Sequence, residues 1–356
     1  MEKVLIAMSG GVDSSVAAYL MKERGCDCVG VTMKLFANED VGLKKEHSCC
    51  SLDDVEDARQ VARKLGIPHY VFNFSDRFAD CVIRRFIDDY EHGRTPNPCI
   101  DCNRFLKFDA LFRRAAELGC DKIVTGHYAG ISRDPESGRY LLRKAEDASK
   151  DQSYVLWSLT QEQLAHAEFP LNTLTKENTR AIAEEHGFLN AHKHDSQDIC
   201  FVPDGDYAGF VERYTGKTYP SGAFLTEDGK ELGRHRGIIR YTVGQRRGLG
   251  LALPEPLYVV RLDTGNNTVI LGRNDALFSR ELDAKEINLI AVPEIRGEVR
   301  LKAKVRYRQR EEWATVRQTD GDRIHVVFDE PQRAITKGQS VVLYDGATVY
   351  GGGVIC

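Results

Sequence analysis

No run of apolar residues in this 356-residue chain is long enough to cross a bilayer, so a protein without a membrane role is expected. A dominant charge of one sign is missing too. The 49 Lys and Arg against 53 Asp and Glu leave a formal net charge of -4, and any nucleic-acid footprint has to be local. The start, Met1-Glu2-Lys3-Val4-Leu5-Ile6, lacks the basic region and small-residue cleavage site of a leader, and a cytoplasmic location is expected. Internal repeats and low-complexity stretches are not apparent. The ten cysteines would mean disulfides in a small secreted chain; at this length they point to buried thiols, a metal site or catalysis. Only one Cys-x-x-Cys occurs, which weakens a structural zinc reading.

The first half alternates strand-like and helix-like segments. Lys3–Met8, Cys28–Met33, His69–Phe74 and Lys122–Thr125 read as short buried strands. Helices are expected from Val12 to a stop at Gly25, from a Ser51 cap to Gly66, over Phe78–Tyr90 and over Asn103–Leu118. This rhythm predicts an α/β fold with a doubly wound parallel sheet and ligands at the carboxyl ends of its strands. After about Phe201 the texture becomes β-rich: Leu257–Leu262, Thr268–Leu271, Lys302–Tyr307, Ile324–Phe328 and Ser340–Tyr344, punctuated by Gly, Asn and Asp turns. The expected domains are 1–205, a small central domain over 206–282, and a C-terminal β-barrel over 283–356.

Ser9-Gly10-Gly11-Val12-Asp13-Ser14-Ser15 sits where the first strand hands over to the first helix. Unpaired helix N–H groups, paired glycines and three serine hydroxyls suit phosphate. The run is neither a Walker loop nor Gly-x-Gly-x-x-Gly. It resembles the pyrophosphate loop (PP-loop) of the ATP-pyrophosphatase superfamily, whose enzymes split ATP between the α and β phosphates and adenylate a substrate oxygen. The resemblance implies ATP at Ala7, Met8, Ser9, Gly10, Gly11, Val12, Asp13, Ser14 and Ser15, with Asp13 helping to place Mg2+. Met33 and Gly126 match further nucleotide positions, although Met33 reads equally as core.

Cys99-Ile100-Asp101-Cys102 follows the rigid turn Thr95-Pro96-Asn97-Pro98 and precedes a helix, a setting that lowers a thiol pKa. The pair also fits a zinc half-site or a redox pair. Cys26, Cys28, Cys81, Cys120 and Cys356 read as buried or incidental, and Cys49-Cys50 is ambiguous. Pro96–Asn103 with Phe105 and Lys107-Phe108, then Thr125-Gly126-His127-Tyr128-Ala129, Lys150–Tyr154 and Ser196–Phe201 occur in that order. Together they resemble the bacterial tRNA-specific 2-thiouridylases nearly end to end.

That resemblance implies a persulfide on Cys200 and a partner nucleophile at Cys102. The C2 oxygen of wobble uridine 34 in tRNAs for lysine, glutamate and glutamine would attack the ATP α-phosphate, and sulfur would then replace the adenylated oxygen. Cys102 and Cys200 would end as a disulfide. Cys99 opens a second route, because Cys99, Cys102 and Cys200 would suit three ligands of a 4Fe-4S cluster. A sulfur-donor protein, either a cysteine desulfurase or a sulfur relay protein, is the implied partner, and a monomer is expected.

From Gly297 to Arg310 the cations Arg300, Lys302, Lys304, Arg306, Arg308 and Arg310 recur at period two, which as a strand would put them on one face. A second basic stretch runs from Arg234 to Arg247. Both suggest phosphate footprints, against the ordinary alternative of a solvated strand face. By motif match Asn97 contacts the target base, flipped out of its stack. His127, Lys150, Asp151, Gln152, Arg306, Tyr307 and Gln339 correspond to tRNA contacts. Rival readings are a small-molecule PP-loop ligase, a tRNA-binding or sulfur-carrier protein without turnover, and another tRNA modification such as lysidine synthesis. The first and last of these have no use for the cysteine pair.

Overall fold

The computed structural model describes residues 1–37, 52–193 and 199–356. The Ser51 cap, Cys49-Cys50 and Ser196-Gln197-Asp198 therefore lie outside the described residues. Strands β1 (Lys3–Ala7), β2 (Asp27–Lys34), β3 (His69–Asn73) and β4 (Lys122–Val124) are followed by a hairpin, β5 (Ala129–Arg133) and β6 (Tyr140–Lys144), and by the short β7 (Ala167–Glu168). Five of these form a parallel sheet in the order β3-β2-β1-β4-β7. β1 is central because it is apolar on both sides. Val4 and Ile6 enter one buried cluster with α1 (Val12–Glu23) and α2 (Leu52–Leu65), while Leu5 enters the other with Ile100, Phe108 and Leu111. Gly25 (φ 78°) ends α1 as expected: its N–H donates to the Lys22 carbonyl and the Cys26 N–H to that of Met21. The chain order reverses between β1 and β4, which makes the carboxyl ends of these two strands the switch point of the sheet.

Two long helical runs follow β3, at 75–91 and 98–117, each containing a stretch of wider π-type turns (Ala79–Ile83 and Cys102–Ala110). The second starts at Pro98, five residues before the expected Asn103. Proline fits a first helical turn because its missing N–H would have had no partner there.

The central unit carries β8 (Gly222–Thr226), β9 (Glu231–His235), β10 (Tyr258–Asp263) and β11 (Thr268–Gly272), ordered β10-β11-β8-β9. The remaining strands are β12 (Phe278–Leu289), β13 (Glu298–Lys304), β14 (Glu312–Asp320), β15 (Arg323–Arg333), β16 (Ser340–Asp345) and β17 (Thr348–Ile355). Because β12 pairs with both β15 and β17, these six close into an antiparallel barrel. β12 straddles the 282/283 boundary read from the sequence. The β5–β6 hairpin of the first unit joins the barrel sheet through β6 and β17.

Candidate active site

The loop after β1 is held from outside by backbone and side chains. Gly10 is left-handed (φ 77°), and a Cβ there would lie 2.3 Å from the Asp54 carbonyl oxygen. Asn190 Nδ2 donates to the Gly10 carbonyl at 3.0 Å and to Ser15 Oγ at 2.9 Å. Lys193 Nζ reaches the same carbonyl at 3.3 Å while pairing with Asp54 and Asp57 at 2.6 Å each. Ser14 and Ser15 both donate to the Gly11 carbonyl, and Met8, Val12, Ser14 and Ser15 are buried. Ser9 is the exposed member of the loop, with Ala7, Gly11 and Asp13 partly so. After β4, a Cβ on Gly126 would stand 2.7 Å from the Asp13 carbonyl carbon and the Ser14 nitrogen, so only glycine lets the chain come this close to the start of α1. Met33 is half-buried at the end of β2 and packs against both apolar clusters.

Asp13 accepts from Lys176 Nζ through both carboxylate oxygens, at 2.7 and 2.8 Å, and from the Tyr128 hydroxyl at 2.9 Å. Sequence reasoning missed Lys176, Asn190 and Lys193. Each lies more than 160 residues from its loop partner, and no local motif marks it.

The Cys-x-x-Cys spans one helical turn, in which the Cys102 N–H donates to the carbonyls of Pro98 and Cys99. Cys99 is exposed at the second helical position, whereas Cys102 is 9% exposed. The lowered thiol pKa expected at this helix start is not found at Cys102. Burial pushes it above its ordinary value, with Lys107 opposing and Asp101 adding to the rise. Cys102 sits one turn inside the helix, past the unpaired N–H groups that would stabilise a thiolate. Asn97 occupies the cap position with no side-chain capping bond.

Cys200, 98 positions downstream, lies in the Ile199–Val202 turn and packs on the apolar cluster that holds Cys102, Phe78, Phe86 and Phe201. The fold thus brings both cysteines to one cluster, and Cys102 is a free thiol. Among the described residues no three His, Cys, Asp or Glu side chains stand close enough to hold a metal ion. Asp101 faces Arg85 (3.4 Å), and burial raises its carboxyl to about 6. Arg85 and Arg104 also reach Glu286 on β12, tying the cysteine helix to the barrel.

Several of the other expected contact residues lie where the first unit meets the barrel. Gln339 Nε2 donates to the carbonyls of Thr95 and Pro96 at 3.0 and 3.2 Å, and the Tyr307 hydroxyl donates to that of Asp151 at 3.1 Å. Arg306 is half-buried and donates to the Val243 and Ala334 carbonyls and the Thr336 hydroxyl. Asp151 accepts from the Ala145 and Ser153 N–H groups, Gln152 accepts from that of Tyr128, and Lys150 is half-exposed beside them. His127 is buried against Phe108 and Phe169, with Nδ1 2.7 Å from the Thr125 hydroxyl, and burial holds its pKa well below the usual value.

The cationic strand is shorter than expected. β13 ends at Lys304, and Arg306, Arg308 and Arg310 fall in the turn beyond it. Within β13 the alternation holds, with Leu301 and Ala303 buried and Arg300 and Lys302 outward beside Trp313, which is 49% exposed. Arg300 is paired with Asp329 at 2.6 Å. In the second basic stretch Arg240 is paired with Glu212, while Arg246 and Arg247 are exposed.

A parallel sheet with a glycine-serine loop at its switch point, a central four-stranded unit and a closed β-barrel define a three-part architecture. Residues 2–204 match the family described as tRNA methyl transferase HUP domain, 208–273 its PRC-barrel domain, and 279–355 the aminomethyltransferase beta-barrel domain. The chain is 51% identical over 354 residues to the tRNA-specific 2-thiouridylase MnmA of Clostridioides difficile (strain 630), covering 99% of this chain and 98% of that one. It is also 51% identical to the tRNA-specific 2-thiouridylase MnmA of Acetivibrio thermocellus, covering 99% of each. The chain belongs to the tRNA-specific 2-thiouridylase family.

Proposed function

We propose that the protein is a tRNA-uridine 2-sulfurtransferase that uses ATP to activate the C2 oxygen of a uridine. The observation that carries this reading is the shared setting of Cys102 and Cys200 in one apolar cluster, in the same unit as the glycine-serine loop. The loop and the amino terminus of α1 receive the β and γ phosphates, with Gly126 packed against the start of α1 beside them. Magnesium would enter with ATP and offset phosphate charge. Asp13 is a hard oxygen donor suited to it, now paired with Lys176.

The uridine C2 oxygen attacks the α-phosphorus, pyrophosphate leaves, and the N3 proton is lost to give an O-adenylated base. The terminal sulfur of a Cys200 persulfide then attacks C2. Cys102 attacks Cys200 Sγ, breaking the persulfide S–S bond, and AMP departs with the former C2 oxygen. The products are 2-thiouridine, AMP, pyrophosphate and a Cys102–Cys200 disulfide, which a thiol reductant reopens. Asn97, His127, Lys150, Asp151, Gln152, Arg306, Tyr307 and Gln339 frame the RNA side in this reading. His127 acts there by shaping the wall, since its ring is buried. A cysteine desulfurase or sulfur relay protein loads Cys200 in the cytoplasm, and the substrates are tRNAs with a wobble uridine 34.

The test is incubation with ATP, magnesium, a sulfur source and unmodified tRNA, followed by nucleoside analysis of the digest. Product from the wild type and none from Cys102→Ser or Cys200→Ser is expected. Unchanged product from both variants would overturn the reading.

A further inference from the structure

Sulfur transfer as proposed uses Cys102 and Cys200 and leaves Cys99 without a task. Two features of its placement give it one. Cys99 and Cys102 are joined across a single helical turn by the Cys102 N–H to Cys99 carbonyl bond. Residues three apart on a helix have Cα atoms roughly 5 Å apart, inside the range a disulfide spans. Cys99 is exposed, whereas Cys102 is 9% exposed and Cys200 is half-buried.

We propose that Cys99 is the exchange thiol that resolves the Cys102–Cys200 disulfide, so that each turnover ends with a Cys99–Cys102 disulfide at the protein surface. The inference rests on the sulfur-transfer reading above. Cys99 loses its proton to water and its sulfur attacks Cys102 Sγ. The Cys102–Cys200 bond breaks, and its electron pair leaves on Cys200, which takes up a proton. No net oxidation occurs in this step. Cys200 is thereby returned to the thiol state that a sulfur donor needs. A dithiol reductant then attacks the exposed Cys99 sulfur, and two electrons and two protons restore both thiols of the pair. Without the exchange, the reductant would have to reach a disulfide between one buried and one half-buried cysteine.

The experiment is a single turnover of persulfide-loaded full-length enzyme with ATP and unmodified tRNA. It is quenched in acid, alkylated and mapped by peptide mass spectrometry, for wild type and Cys99→Ser. The wild type should give a Cys99–Cys102 linkage with Cys200 alkylated, and Cys99→Ser should accumulate Cys102–Cys200. With a dithiol present, the ratio of multiple-turnover to single-turnover product should fall about tenfold in Cys99→Ser, the equivalent of about 1.4 kcal/mol in a rate. A wild-type protein that retains Cys102–Cys200, with an unchanged ratio in the variant, overturns the exchange role alone. Absence of any Cys102 disulfide from both proteins overturns the exchange and the sulfur-transfer reading together.

Discussion

At Gly126 a methyl group would lie 2.7 Å from two backbone atoms at the start of α1, where no flexible side chain can yield. Gly126→Ala must therefore push β4 away from the loop that Asn190 and Lys193 hold in place. Its ATP dissociation constant, measured by calorimetry, should rise tenfold or more, about 1.4 kcal/mol, while far-ultraviolet dichroism is unchanged. Unaltered ATP affinity would remove Gly126 from the nucleotide site. His127 gives a second residue-level expectation, in pH. Its folded-state pKa lies well below 6.5 because the ring is buried between Phe108 and Phe169. Below pH 6.5 the unfolded chain takes up a proton that the folded protein refuses, so stability is lost as pH falls, at up to about 1.4 kcal/mol per pH unit. Denaturant midpoints at pH 7 and pH 5.5 should converge between wild type and His127→Gln as the pH drops. Parallel curves would place a charged imidazole in the folded state.

The elements differ in how far the sequence alone reveals them. β1 to β4 and the helices after them follow from apolar runs and glycine stops, because Val4, Leu5, Ile6 and Gly25 report their environment locally. The turn from β1 into α1 follows in the same way from Gly10 and Gly11. The β5–β6 hairpin was not legible in this way: its burial depends on β17, more than 200 residues later. Nor were Lys176 and Lys193, whose roles exist only once distant segments meet. Cys102 shows a subtler limit. The motif places it at a helix start, but Pro98 begins the helix a turn earlier, and burial then outweighs the helix dipole. Barrel closure follows the same logic of distant contacts. On β17 a Cβ at Gly352 would come within 2.7 Å of the Val341 carbonyl oxygen and 2.8 Å of the Trp157 ring. Gly352→Ala should therefore cost about 1–3 kcal/mol of stability through overpacking, read as a lower denaturant midpoint. A midpoint equal to wild type would mean that β16 and Trp157 can separate without loss.

For the whole molecule, electrostatics decides how an acidic protein could hold RNA. With a net charge of -4, attraction must come from cations whose charge is not already neutralised. Arg300 and Arg240 look basic in the sequence but are paired with Asp329 and Glu212. Among the described residues no carboxylate pairs with Arg246 or Arg247, and both are exposed. Removing one cation that neutralises a phosphate should lower the slope of log affinity against log salt by about 0.7–0.9. Filter binding of unmodified tRNA across a salt series should thus show the slope of Arg246→Ala/Arg247→Ala reduced by roughly 1–2. Arg300→Ala should change it by well under about 1, because the Arg300 charge is already spent on Asp329 at the barrel's outer face. The reverse ranking would put the RNA on the β13 face, with Trp313 between Arg300 and Lys302 as its stacking surface.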